Sequence, residues 1–139
     1  MDIFVNPSGE LSLYRQIMRQ ITDAIAGGRL KPGDKLASHR ELSEHLVIAP
    51  LTVKKAYDEL EALGYIETQR GRGTFVCARL PRTNRADRDE QLRENARRLL
   101  SQAYLAGLQL PAVLKILEET DRELTGNPTD PAPQDQKKR

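Results

Sequence analysis

The residues best equipped for chemistry are cations set beside glycines. Arg70-Gly71-Arg72-Gly73 alternates the two types. Arginine offers charge-assisted hydrogen bonds to phosphate, or enters a narrow groove of negative potential. Glycine lets the backbone turn tightly and come close to another surface. Basic residues continue at Arg79, Arg82, Arg85 and Arg88, with Asp87 the one acid from Arg70 to Arg88. Such a stripe is the footprint of a polyanion-binding surface, or else a solvated linker. Upstream, Leu51, Thr52, Lys54 and Lys55 form a second group. Enzyme chemistry has little to work with. His39 and His45 are six residues apart, so they do not share a helix face, and with Cys77 they make no metal site. No phosphate loop, nucleophile triad or paired carboxylates stand out, so neither catalysis nor a cofactor is expected.

Bulk charge says less than its placement. The 139 residues carry 22 Lys and Arg against 20 Asp and Glu, a net charge of +2 that alone would not suggest a nucleic acid. With 38% apolar residues and no Trp, the core must be built from Leu, Ile, Val and Ala. The length suits one ordinary domain, or a small domain with an appendage. A single cysteine excludes an intrachain disulfide and fits a reducing cytosol. The N-terminus has no basic n-region, and no stretch reaches the roughly 18 apolar residues of a membrane span. The expectation is a soluble, cytoplasmic chain with no membrane partner.

The cationic groups need elements to position them. Leu13, Ile17, Ile21, Ala24 and Ile25 predict a helix over 13–26, stopped by Gly27-Gly28. Lys31-Pro32-Gly33-Asp34 reads as a type II turn. Ser38-His39-Arg40-Glu41 has the form of a capping box opening a short helix to Leu46, with Leu42 and Leu46 inward. Val47-Ile48-Ala49-Pro50 breaks it, and Pro50 suits the first turn of a third helix, 50–63. Its apolar face is Val53, Ala56, Tyr57, Leu60 and Leu63, and Gly64 ends it. Segments 65–69 and 74–77 flank the Arg-Gly turn and predict a β-hairpin. Two short helices, a tight break and a hairpin make a winged helix-turn-helix. Such a fold reads base edges with the N-terminal residues of its third helix. Thr52 could bond a base or phosphate, Lys54 and Lys55 a phosphate or guanine, and Leu51 could meet a thymine methyl. Arg40 sits where a phosphate clamp would sit.

These segments resemble the DNA-binding domain of GntR-family regulators. The likeness runs through Gly28 to Leu42, Leu51 to Tyr57, Leu60 to Glu67 and Arg70 to Val76, covering residues 10–77. It implies binding of a double-stranded DNA operator as a homodimer. Position by position it implies contacts from Ser38 and Arg40, from Thr52, Lys54 and Lys55, and from Arg70, Gly71 and Arg72. Ala37 departs from the family's usual proline, and Ala49 and Leu51 stand where small polar or basic residues are usual. Losing a polar cap at Ala49 weakens the helix start by about 1 kcal/mol.

Beyond Arg79 the composition changes. Residues 81–88 read as a linker, followed by helices over 87–106 and 111–124. Leu92, Ala96, Leu99, Ala103 and Ala106 stripe the first, and Val113, Ile116, Leu117 and Leu124 the second. So short an extension resembles the YtrA-type branch of the family. Two such helices cannot form a core alone. One reading pairs them with a second subunit through Leu92, Ala96, Leu99, Ala103, Tyr104, Val113, Ile116 and Leu117. Others pack the stripes on the chain's own winged domain, or line a small-molecule effector pocket with Tyr104 as polar handle. The expected organisation is an α+β winged helix-turn-helix domain over 1–78, an all-α two-helix dimerisation segment over 79–126 and a disordered tail over 127–139. The expected function is transcriptional regulation, with repression favoured. The rival is a winged helix that binds protein and has no operator of its own.

Overall fold

The computed structural model describes residues 2–81 and 84–126, which fall into two compact units, Met1–Pro81 and Arg82–Arg139. In the first unit the order is α1 (Leu13–Ala26), β1 (Lys35–Leu36), α2 (His39–Leu46), α3 (Pro50–Ala62), β2 (Ile66–Gln69) and β3 (Gly73–Val76). The second holds α4 (Arg85–Leu105) and α5 (Leu110–Thr125). The expected tail, 127–139, lies outside the described residues.

The predicted stripe of α1 becomes the floor of the core: Ile17, Ile21 and Ala24 are fully buried against Val53, Ala56 and Leu60 of α3. Leu63 is a correction. It caps α3 and is 55% exposed, because the helix closes there and the chain turns away. That closure is a Schellman motif. The Gly64 amide bonds the Glu61 carbonyl and the Tyr65 amide the Leu60 carbonyl, with Gly64 at φ +89°. The turn delivers the chain directly into β2.

Two features fall outside what the sequence predicts. Lys35–Leu36 is a third strand, giving an antiparallel sheet of order β1-β3-β2. Lys35 pairs with Phe75 and Leu36 with Thr74. A two-residue strand carries no periodicity for a sequence to show. The second is the N-terminal segment, which belongs to the core: Ile3 is buried. Two α1 glutamines hold it as a neighbouring strand would. Gln20 accepts from the Phe4 amide (3.0 Å) and donates to its carbonyl (2.5 Å). Gln16 accepts from the Asn6 amide (2.7 Å) and donates to its carbonyl (2.8 Å).

The break between α2 and α3 is strained. Val47 lies in the left-handed region at φ 57°, ψ 51°, with its amide bonded to the Ser43 carbonyl, and it is 88% exposed. A β-branched residue in that region costs on the order of 1–2 kcal/mol. So exposed a side chain offsets little of that through packing. Val47→Asn should therefore stabilise the fold by about 1 kcal/mol, raising the melting temperature by roughly 4–8 °C in a thermal scan.

In the second unit the expected linker is shorter than predicted. Asn84 caps α4 by accepting from the Ala86 amide (2.8 Å), so Arg85 to Arg88 are already helical. Glu90 and Glu94 hold Arg97, and Glu94 also holds Arg98, within the same helix. Little is buried where α4 meets α5. Ala103 is 7% and Val113 2% exposed, and these are the buried residues of the pair. No described helix is long and apolar enough to cross a membrane.

Candidate nucleic-acid interface

The site is assembled from three places in the first unit. At the start of α2, the predicted capping box is present. The Glu41 amide donates to Ser38 Oγ (3.1 Å) and the Ser38 amide to Glu41 Oε1 (2.9 Å). Accepting that backbone bond holds the Glu41 carboxyl below its usual range, with Lys35 adding to the effect. A side-chain bond from Ser38 to the same carboxyl adds to the effect, so the Ser38 hydroxyl is engaged in the cap. Arg40, two residues on, is exposed.

Helix α3 supplies the second place. Ala49 is its N-cap and makes no side-chain cap bond, so the departure read from the sequence is real in the fold. Leu51 is 77% exposed, Lys54 and Lys55 are exposed and Thr52 is half-buried. The two lysines differ. Lys54 Nζ pairs with Asp58 at 2.8 Å, one turn along the same helix. Lys55 Nζ instead lies 4.1 Å from the centre of the Tyr14 ring on α1. The acidic end of α3 serves the scaffold. There Glu61 accepts from the Thr68 amide (3.3 Å) and hydroxyl (3.4 Å), tying α3 to β2. Deeper, Tyr57 donates its hydroxyl to the Ala37 carbonyl at 2.7 Å, and burial pushes its pKa up to about 12. That bond fixes the approach to α2 against α3.

The wing is the third place. Gln69 pairs with Gly73, so the connection is the three residues Arg70, Gly71 and Arg72 rather than four. The Arg72 amide closes the turn on the Gln69 carbonyl (2.9 Å), and Gly71 takes the positive φ of 78° that the third turn position requires. Arg70, Gly71 and Arg72 are all exposed at the tip. Lys35 joins them. Its Cε would lie 2.8 Å from a Cβ placed on Gly73, so the lysine runs along the base of the wing. Only the third strand brings Lys35 there, and nothing in its sequence neighbourhood singles it out.

Other candidates fall away. His45 is exposed and His39 is half-buried. Burial, Glu67 and Glu61 push the Cys77 thiol up, the reverse of what a nucleophile needs. No cluster suited to a metal occurs among the described residues. In the second unit Leu92, Ala96, Tyr104, Ile116 and Leu117 are exposed and Leu99 is half-buried. Ala103 and Val113 are corrections: they are used up where α4 and α5 meet, leaving little surface for anything else. Leu105 (91% exposed) and Leu114 (50%) are apolar and uncovered instead, outside the predicted stripes.

Residues 13–76 match the family described as bacterial regulatory proteins, gntR family. The chain is 36% identical over 124 residues to the HTH-type transcriptional repressor YtrA of Bacillus subtilis (strain 168), covering 89% of this chain and 95% of that protein. The structure of YtrA from Sulfolobus acidocaldarius, a GntR-family transcription factor, matches with a TM-score of 0.56 and 37% identity over 71% of this chain and 97% of that one. A transcriptional antiterminator from Listeria monocytogenes EGD-e matches with a TM-score of 0.76 and 25% identity over 95% of this chain and 98% of that one. The chain belongs to the GntR family, with a likeness to its short YtrA type, and is a DNA-binding transcriptional regulator rather than an enzyme.

Proposed function

We propose that the protein is a transcriptional repressor that binds an inverted-repeat operator as a homodimer, in the cytoplasm with the DNA. The observation that carries this reading is the exposure of Leu51 and Lys54 at the start of α3 and of Arg70 and Arg72 at the wing tip. Thr52 and Lys54 address base edges or phosphates there, Leu51 meets a thymine methyl, and Arg70 and Arg72 grip the backbone or the minor groove. Arg40 clamps a phosphate at the start of α2. The repressor name of the Bacillus relative supports the sign of regulation. The uncovered apolar side chains of α4 and α5 support dimerisation, because an aqueous monomer gains nothing by displaying them. A two-fold dimer sets two recognition helices about one DNA turn apart, hence the inverted repeat.

The test is a titration onto DNA from upstream of its own gene beside a random duplex, at two salt concentrations. Selective binding that weakens steeply with salt, with a two-fold symmetric footprint, is expected. Absence of binding to either duplex at low salt would favour the protein-binding winged helix instead.

A further inference from the structure

We propose a phosphate-binding patch on the flank of α3 remote from the wing, built from Lys55, Arg15 and the Tyr14 ring that carries both. The inference rests on the operator-binding reading and adds to it a contact surface on α1. Lys55 Nζ lies 4.1 Å from the Tyr14 ring centre, and the Arg15 guanidinium carbon lies 5.8 Å from it. Arg15 Nε also donates to Tyr14 Oη at 3.2 Å. Two cations therefore share one neutral ring. A carboxylate partner, such as Asp58 gives Lys54, cancels charge. A ring face holds an ammonium without cancelling it, and leaves N–H donors for another acceptor. Glu59 is the acid that acts on Arg15, and it too lies on α3.

Tyr14 can carry both cations because it is half-buried and packs against the core, so its ring is a fixed platform. A lysine side chain carries about 2 kcal/mol of rotamer entropy, and fixing it beforehand lowers the cost of ordering it in a complex. The flank assignment follows from contacts. Glu61 bonds Thr68 of β2 on one side of α3, while Lys55 meets α1 on the other. The ligand is the phosphodiester backbone, gripped on one side of the recognition helix by the wing and on the other by this patch.

Lys55→Gln and Arg15→Gln are exposed changes that test it without disturbing the core. Each should weaken the selected operator and a random duplex by the same factor. Each should also lower the slope of log affinity against log salt by about 0.9 per half-site. Tyr14→Leu should weaken binding and remove the effect of Lys55→Gln in the double variant, whereas Tyr14→Phe should keep it. An unchanged salt slope in both Gln variants, or losses in Tyr14→Leu and Lys55→Gln that simply multiply, overturns the patch while wild-type operator binding leaves the main reading standing. Phosphate buffer that displaces the duplex more than chloride of equal ionic strength, in wild type but not in Arg15→Gln, would assign the patch to a small phosphate ligand and overturn the DNA assignment.

Discussion

Reversing the wing, Arg70→Glu with Arg72→Glu, is expected to abolish duplex binding at physiological salt. Two attractive charges become two repulsive ones against a phosphate array. Counted over two half-sites, this removes four of the contacts that give binding its salt dependence. A loss of at least about 100-fold follows even if each contact is worth only a few-fold. The fold should not notice. Both side chains are exposed, the turn depends on Gly71 and on the Arg72 amide, and neither changes. A gel-shift titration paired with a thermal melt checks both halves. Wild-type affinity in the reversed variant would place the DNA contacts outside the wing.

Leu117→Asp on α5 should separate the dimer and with it the operator. Leu117 is half exposed, so the substitution leaves the single chain intact, but a carboxylate at an apolar interface has no partner. Sedimentation should report one chain where the wild type gives two. Operator affinity should fall by about 10²–10⁴, the factor by which linkage raises the binding of two modules over one. Binding of an isolated half-site should stay near wild type. A dimer that survives Leu117→Asp together with Leu114→Asp would place the interface elsewhere.

The winged fold was legible because each device that builds it is local. The stripe Ile17, Ile21, Ala24, the Ser38–Glu41 box, Pro50 and the Arg-Gly turn each occupy a few neighbouring residues, and the helices they imply are found within two residues of their expected ends. What escaped was long-range. Strand β1 exists because β3 is beside it, and Ile3 is buried because Gln16 and Gln20 reach back ten and sixteen residues. The site was legible in part for the same reason. Residue types marked Thr52, Lys54, Lys55, Arg70 and Arg72, and the structure exposes all but the half-buried Thr52. That Lys54 and Lys55, adjacent in sequence, have opposite electrostatic situations depends on Tyr14, far back on α1. In the second unit periodicity found the helices but could not apportion their apolar residues. Ala103 and Val113 go between the helices, and Leu105 and Leu114 are left over.

The glutamine clamp on the N-terminal segment changes what counts as the module. The match to the family description spans residues 13–76, yet the folded unit takes in Ile3, and the side-chain amides of Gln16 and Gln20 stand in for a missing strand. A fragment cut at the start of that match would open a hole where Ile3 sat and strip two α1 amides of their partners. The matched span and the physical unit thus differ by a strap of residues. Fusing this DNA-binding unit to a different domain would have to carry the strap along.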